Sequence, residues 1–306
     1  MARLIECVPN FSEGRNAAVV ESIADSIRSG GNVLFLGSEM DADHNRSVLT
    51  FVGKPEDVAE AAFRACERAS KVIDMNRHRG EHPRIGATDV IPLIPVSGVG
   101  MDECVEISVK LAERISRELA IPTYLYGKSA RKPERRNLSD IRKGEYEGLK
   151  ELIGKEERMP DFGEPVMHPT AGATVVGARP LLVAYNVYLN TADVSAAKRI
   201  ARKIRERDGG MPGVKALGFY IEKRVMSQVS MNLTDLEKTT PLAAFDRVVA
   251  LAEEEGVTVA GSEIVGMVPV SAISEAAEQR LKLMDFDRGQ IMEGKLLDLL
   301  IAGRAE

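Results

Sequence analysis

The order in which strand-like and helix-like segments follow one another constrains this chain more than any single motif. Residues 3–8 read as a strand that ends at Pro9. Turn and cap chemistry over Asn10-Phe11-Ser12-Glu13-Gly14 then opens a helix over 16–27, whose apolar residues Ala17, Val20, Ile23, Ala24 and Ile27 keep a 3.6-residue period. Strands follow over 33–36 and 47–52, separated by the polar run 37–45. Pro55 starts a second helix with Val58, Ala61, Ala62, Ala65, Cys66 and Ala69 on one face. A strand over 87–96 completes the order βαββαβ, the ferredoxin-like arrangement, in which an antiparallel sheet carries both helices on one face.

The same order returns later. Residues 182–189 read as a strand, 195–204 as a helix, 216–222 and 226–233 as strands, 241–254 as a helix and 257–265 as a strand. The expected fold class is therefore α+β, with two ferredoxin-like subdomains over 1–180 and 181–306 and a ligand cleft between them. Ile94-Pro95-Val96-Ser97 answers Val268-Pro269-Val270-Ser271, and Asn10 answers Asn190. Between the repeats lie a helix over 101–119, a strand over 123–126, an amphipathic stretch over 141–153 and an irregular span over 154–172. Helices over 274–283 and 290–302 close the chain as cover for a sheet face or an oligomer surface.

A chain of 306 residues accommodates two such domains. Its net charge of −5 implies no general attraction to nucleic acid or anionic membranes. No run of about 18 apolar residues occurs, and the N-terminus lacks the apolar core of a signal peptide, so a cytoplasmic location is expected. Cys7, Cys66 and Cys104 are widely spaced within apolar patterns and read as reduced core thiols.

Polar chemistry concentrates in Arg77-His78-Arg79-Gly80-Glu81-His82-Pro83-Arg84-Ile85-Gly86, directly ahead of a core strand. On a helix, His78 and His82 would share a face as a metal pair. Gly80 and Pro83 argue for an irregular loop instead. There, His82 among Arg77, Arg79, Arg84 and Glu81 would titrate near neutral pH, which suits a proton shuttle. His44, in an acidic run, reads either as a capping residue or as a site residue near His82. Asp41, Asp43 and His44 match no zinc or calcium loop spacing, and no metal is expected. Lys128, Arg131, Lys132, Arg135 and Arg136 form a cationic run that is either solvated or a landing site for carboxylates.

The motif of His82, continued by Ala87 and Asp89-Val90, resembles the signature of the glutamate formiminotransferases, the folate enzymes of histidine breakdown. The resemblance covers nearly the whole chain: Glu6 to Gly14, Asn45-Arg46-Ser47, Phe51-Val52-Gly53, Tyr124-Leu125-Tyr126-Gly127, Pro160-Asp161-Phe162-Gly163, Gly172-Ala173-Thr174 and Gln228 to Leu233. It implies two α/β subdomains with folate bound between them, and transfer of the formimino group from N-formimino-L-glutamate to N5 of tetrahydrofolate, the co-substrate. It implies His82 as the catalytic proton carrier, supported by a carboxylate that is Glu39 if aligned with the animal enzymes and Asp41 if read in the bacterial Asp-x-Asp-His-Asn-Arg pattern. Folate binding maps onto Gly163, Glu164, Pro165, Val166, Met167, His168, Pro169, Thr170, Ala171 and Gly172. The flanking glycines would let backbone amides approach a flat pterin, and the segment could equally be a linker between the subdomains.

Relatives form dimers, so a homodimer is expected. In the two-activity members a cyclodeaminase domain follows; this chain stops at Glu306, so a cyclodeaminase would be a separate partner. The same scaffold would serve a glutamate formyltransferase acting on N-formylglutamate, or a non-catalytic folate- or amino-acid-binding protein, since fold alone does not give function.

Overall fold

The computed structural model describes residues 2–42, 44–265, 268–283 and 291. The chain divides into two compact units, Met1–Arg179 and Pro180–Glu306.

In the first unit the elements run β1 (Leu4–Cys7), β2 (Asn10–Phe11), α1 (Ala17–Gly30), β3 (Val33–Asp41), β4 (Arg46–Gly53), α2 (Pro55–Val72), β5 (Thr88–Ser97), α3 (Met101–Leu119), β6 (Thr123–Gly127), α4 (Leu138–Ile141), α5 (Glu145–Leu152) and β7 (Thr174–Ala178). β1 and β2 both lie between β4 and β5, as one strand interrupted at Pro9, which has no N–H to give to a ladder. With β3 on the far side of β4, this is the ferredoxin-like βαββαβ sheet. The pattern is then extended: β7 pairs parallel with β5, and β6 pairs parallel with β7, giving seven strands in all. Flanked on both edges, β5 is buried from Thr88 to Ile94, which explains why its sequence is an almost unbroken apolar run.

Helix α1 is capped by Asn16, whose side chain accepts from the N–H of Ala18 at 3.1 Å and of Val19 at 3.3 Å. Its buried residues Val20, Ile23, Ala24 and Ile27 share one core with Ile5, Cys7, Leu49 and Phe51. Each large aliphatic or aromatic side chain so buried contributes about 1.5–3 kcal/mol. On β4 the alternation is strict, with Ser47, Leu49, Phe51 and Gly53 inward.

Three boundaries depart from expectation in ways that affect the site. The polar run after residue 36 is mostly strand, because β3, past a register shift between Phe35 and Gly37, keeps pairing with β4 as far as Asp41 opposite Arg46; Ser38, Glu39 and Met40 are exposed, so no apolar alternation marked it. The amphipathic stretch 141–153 is helical only over Glu145–Leu152: α4 ends at Ile141, and Gly144 at φ +82° separates it from α5. The span ending at Gly172 does not link the two units: it leads into β7, which is inserted in the sheet of the first.

The second unit runs β8 (Val183–Leu189), α6 (Val194–Ile204), β9 (Val214–Ile221), β10 (Met226–Leu233), α7 (Pro241–Glu254), β11 (Val259–Val265) and α8 (Val270–Leu281). Its sheet, β11-β8-β10-β9, is wholly antiparallel and has the same βαββαβ topology. The paired tetrapeptides are not structurally equivalent: Ile94 to Ser97 end a strand, whereas Val270 and Ser271 already belong to a helix capped at Pro269. The helix expected over 290–302 falls outside the described residues, apart from Ile291. Among the described residues no helix is long and apolar enough to cross a membrane.

Candidate active site

The loop between α2 and β5 is irregular throughout, as Gly80 and Pro83 require, and it is fastened to the β3–β4 turn. The fastener is Asn45, in the left-handed region at φ 47°. Its side-chain carbonyl accepts from Gly14 N–H at 3.0 Å, its side-chain amide donates to the Arg79 carbonyl at 2.9 Å, and its own carbonyl accepts from His78 Nε2 at 2.8 Å. Glycine is compulsory at two of these approaches. A Cβ at Gly80 would lie 2.3 Å from the His44 carbonyl oxygen, and one at Gly14 would lie 2.2 Å from that of Asp41. Ser12 secures the far end of the loop, donating its hydroxyl to the Gly86 carbonyl at 2.7 Å.

His82 is half-buried, and its Nε2 lies 3.0 Å from Arg46 Nη1. A guanidinium only donates, so Nε2 accepts, and the proton of the neutral ring sits on Nδ1. Burial first, then the positive charges of Arg46 and Arg142, push the imidazole down to about 2. The ring is therefore a neutral base with an engaged lone pair, not one titrating near neutrality. The reason is that its neighbours in sequence are not its neighbours in space. Arg77 points to solvent, Arg79 donates to the carbonyls of Asn76 and His78, and Arg84 is buried and turned toward α5. The cations at the ring come from β4 and from the residue after α4.

The two carboxylates expected to support His82 are placed differently from each other. Asp41 accepts from the His44 backbone N–H at 2.9 Å and from His44 Nδ1 at 2.7 Å. The His44 ring in turn meets the His82 ring edge-on, with centroids 6.4 Å apart. Glu39 is exposed on β3 opposite Val48, and its charge reaches Arg46. His78, 6 % exposed, donates from Nε2 to Asn45 and accepts at Nδ1 from Arg84 Nε at 3.1 Å, so both ring nitrogens are used internally. Arg84 continues to Glu147 at 2.8 Å and Glu145 at 2.7 Å, holding the Glu147 carboxyl at about 2. Asp43 lies outside the described residues. Among the described residues no group of three His, Cys, Asp or Glu is placed to hold a metal ion.

The segment 163–172 runs back to back with the His82 loop. Gly86 and Gly172 form an antiparallel bridge, flanked by Ala87 N–H to the Ala171 carbonyl at 2.8 Å and Ala173 N–H to the Ile85 carbonyl at 3.1 Å. A Cβ at Gly86 would lie 2.0 Å from the Ala173 carbonyl oxygen, and one at Gly172, where φ is +74°, 2.5 Å from that of Ile85. Gly163, at φ +94°, is closed on one side by Ser116 and Pro122. The flanking glycines are thus explained by packing against the protein itself, with no need of a pterin. His168 stabilises the turn, its Nδ1 accepting from Ala171 N–H at 3.0 Å. Met167, Ala171 and Gly172 are buried; Gly163, Glu164, Val166 and Pro169 are exposed, and Pro165, His168 and Thr170 half-buried.

The cationic run is mixed. Arg135 is buried in an ion pair with Asp161 at 2.7 Å, both side chains 5 % exposed, which removes it from any surface role. Lys128, Arg131 and Arg136 are exposed and Lys132 is half-buried. All three cysteines are free and buried, and burial pushes the Cys66 thiol up to about 11.

Compared with known proteins, the chain matches the formiminotransferase domain, N-terminal subdomain, over residues 4–179 and the formiminotransferase domain over residues 184–301. The chain belongs to the formiminotransferase family. It is 47% identical over 298 residues to a glutamate formimidoyltransferase of Streptococcus pyogenes, covering 97% of this chain and 100% of that protein. It is 46% identical over 295 residues to the glutamate formimidoyltransferase of Thermoplasma acidophilum, covering 96% and 97%. A formimidoyltransferase-cyclodeaminase of Gallus gallus is 47% identical over 289 residues, covering 92% of this chain and 53% of that protein.

Within this formiminotransferase the residues that reading along the chain did not single out are Arg46 and Arg142. Arg46 stood inside a quoted block with no role attached, and Arg142 inside the amphipathic stretch 141–153, also with no role. No local signal marks either one, because each reaches His82 from a separate element through the fold.

Proposed function

We propose that this protein moves the formimino group of N-formimino-L-glutamate to N5 of tetrahydrofolate, giving 5-formiminotetrahydrofolate and L-glutamate. The full-length match to glutamate formimidoyltransferases carries the reading. The adjacency of the His82 loop and the segment 163–172 supports it, since proton carrier and folate segment are joined backbone to backbone.

The chemistry suits one imidazole. N5 attacks the formimino carbon and gives up its proton to His82; the bond from that carbon to the glutamate nitrogen then breaks as His82 returns the proton to the departing nitrogen. Atoms and charges balance with no water or further reactant consumed. Of the two supporting carboxylates, the pair of hydrogen bonds that Asp41 makes to His44, edge-on to His82, favours Asp41 over Glu39. The segment from Gly163 to Gly172 offers the exposed Glu164 and Val166 to folate, while Met167 and Ala171 anchor it. In this reading the first unit holds the catalytic histidine and the folate segment, and the protein works as a cytoplasmic homodimer.

The test is tetrahydrofolate-dependent release of glutamate from formiminoglutamate. Wild type turns over, and His82→Ala with an unchanged circular dichroism spectrum loses about 10²- to 10⁴-fold in rate, the usual contribution of a positioned acid-base group. A folded His82→Ala protein with near-normal rates refutes the assignment. N-formylglutamate in parallel shows whether formyl transfer is the better activity.

A further inference from the structure

Nε2 of His82 is the atom that must accept a proton, yet its lone pair is taken by Arg46 Nη1. The shuttle is blocked until Arg46 finds a better acceptor. Arg46 Nε is itself buried with no hydrogen-bond partner among the described residues, and so is Arg142 Nε. Buried donors on charged groups are costly to leave unmade, and both of these guanidiniums bear on the His82 ring. Burial first, and then the like charge of Arg142, lower the Arg46 guanidinium from its ordinary value.

The carboxylates nearby are already in use. Asp89, 2 % exposed, accepts from Ile85 N–H at 2.9 Å and is ion-paired with Arg142 Nη2. Asp41 is bonded to His44. Facing the ring itself are Arg46 from β4, Arg142 after α4, His44 from the β3–β4 turn and His78 from its own loop, all of which disfavour an imidazolium. Asp41, Asp89 and Glu39 exert their charge on Arg46.

We propose that Arg46 and Arg142 form a carboxylate seat beside His82, and that an arriving carboxylate draws Arg46 off Nε2 and so releases the base. Carboxylates are better acceptors for guanidinium than a neutral imidazole, and their two oxygens suit two such partners. Resting on the formiminotransferase reading, the seat takes the α-carboxylate of the glutamyl donor. That group is carried by the same carbon as the nitrogen His82 must protonate, so it lies within reach whenever the shuttle is in place. The carboxylates of folate are separated from N5 by the whole p-aminobenzoyl ring. The bound carboxylate also supplies the negative charge the ring lacks, so the acid limb of kcat falls at higher pH than that of kcat/KM, which reports the free enzyme.

The test follows the histidine ring nitrogens by NMR as N-acetyl-L-glutamate, a donor analogue with no formimino group, is added to the intact protein. The His82 Nε2 resonance moves and its titration midpoint rises by at least one unit, whereas the α-carboxamide of the same compound and a tetrahydropterin lacking glutamate leave it unmoved. In Arg142→Lys, which keeps a cation for Asp89 but loses Nε, the response to N-acetyl-L-glutamate is lost, and KM for the donor rises about tenfold or more while KM for tetrahydrofolate does not. An unchanged His78 resonance certifies the fold, and the wild-type comparison of acid with amide stands without any variant. A His82 ring indifferent to saturating N-acetyl-L-glutamate in a protein that transfers formimino groups overturns the seat and leaves the function standing. A ring that responds to the acid in a protein without transfer keeps the seat and refutes the function. Equal response to acid and amide, or a response only to folate carrying its glutamate, also overturns the seat as drawn.

Discussion

The two units share one topology and differ in what was added to it. In the second, α7 passes to β11 through four residues, 255–258, and β11 is an edge strand of a purely antiparallel sheet. In the first, the equivalent passage from α2 to β5 is the long loop carrying His78 and His82, and β5 is internal because β7 pairs along its other edge. Burying that edge brings segment 163–172 against the loop, and it also buries polar and charged groups with internal partners: His78 with Arg84, and Asp89 with the Ile85 N–H and Arg142. The lesson is that a repeated scaffold acquires a site where one strand stops being an edge. A covered edge supplies both a second backbone and a drier setting in which charges act strongly.

The contrast is broken most severely at the seam. Gly86→Ala places a methyl 2.0 Å from a backbone oxygen that cannot move aside without parting the two segments. It should cost about 3 kcal/mol or more, as overpacking does, and reduce transfer with it. Urea unfolding with activity measured in parallel checks both.

Protonation gives the next effect. His82, with its midpoint held near 2 in the folded protein against about 6.5 when unfolded, binds more protons in the unfolded state below pH 6.5. Stability conferred by keeping the ring neutral is therefore intact above pH 6.5 and lost progressively as pH falls from there toward 2. At pH 5 the loss from this ring is at most about 2 kcal/mol. The urea midpoint should fall between pH 7 and pH 5, and His82→Gln should flatten that fall.

Charge reversal at Lys128, Arg131 and Arg136 together, the exposed members of their run, should raise KM for polyglutamylated tetrahydrofolate several-fold and reduce its salt dependence. Initial rates across an ionic-strength series decide it. Arg135 is left out because reversing it would unpair Asp161.

The smallest effect belongs to the edge strand of the second unit. Gly261 has nothing within 4 Å of an added Cβ. Gly261→Ala should leave thermal stability within about 0.5 kcal/mol or raise it slightly, because alanine has less backbone entropy to lose. A large loss there would show that β11 is covered after all.

What could be read along the chain was whatever local physics writes there. The periods of α1, α2 and α3, the two βαββαβ orders and the refusal of Gly80 and Pro83 to be helical all depend on neighbours within a few residues. The family motif lay in the open for the same reason, and it named His82. Even so, β3 hid its last five residues, because an exposed strand held only by its partner has no apolar alternation to display.

By itself, then, the amino-acid order determined the helices α1, α2 and α3 and the two βαββαβ orders, and it pointed to His82 as the histidine to test. Only the tertiary structure decided the electrical state of that histidine. Arg46 and Arg142 are separated from it by whole elements of the chain, and electrostatic influence follows distance and burial, neither of which sequence separation records. The same holds for the glycines at 86 and 172, whose necessity comes from each other's backbone and is visible only once the two strands of chain lie side by side.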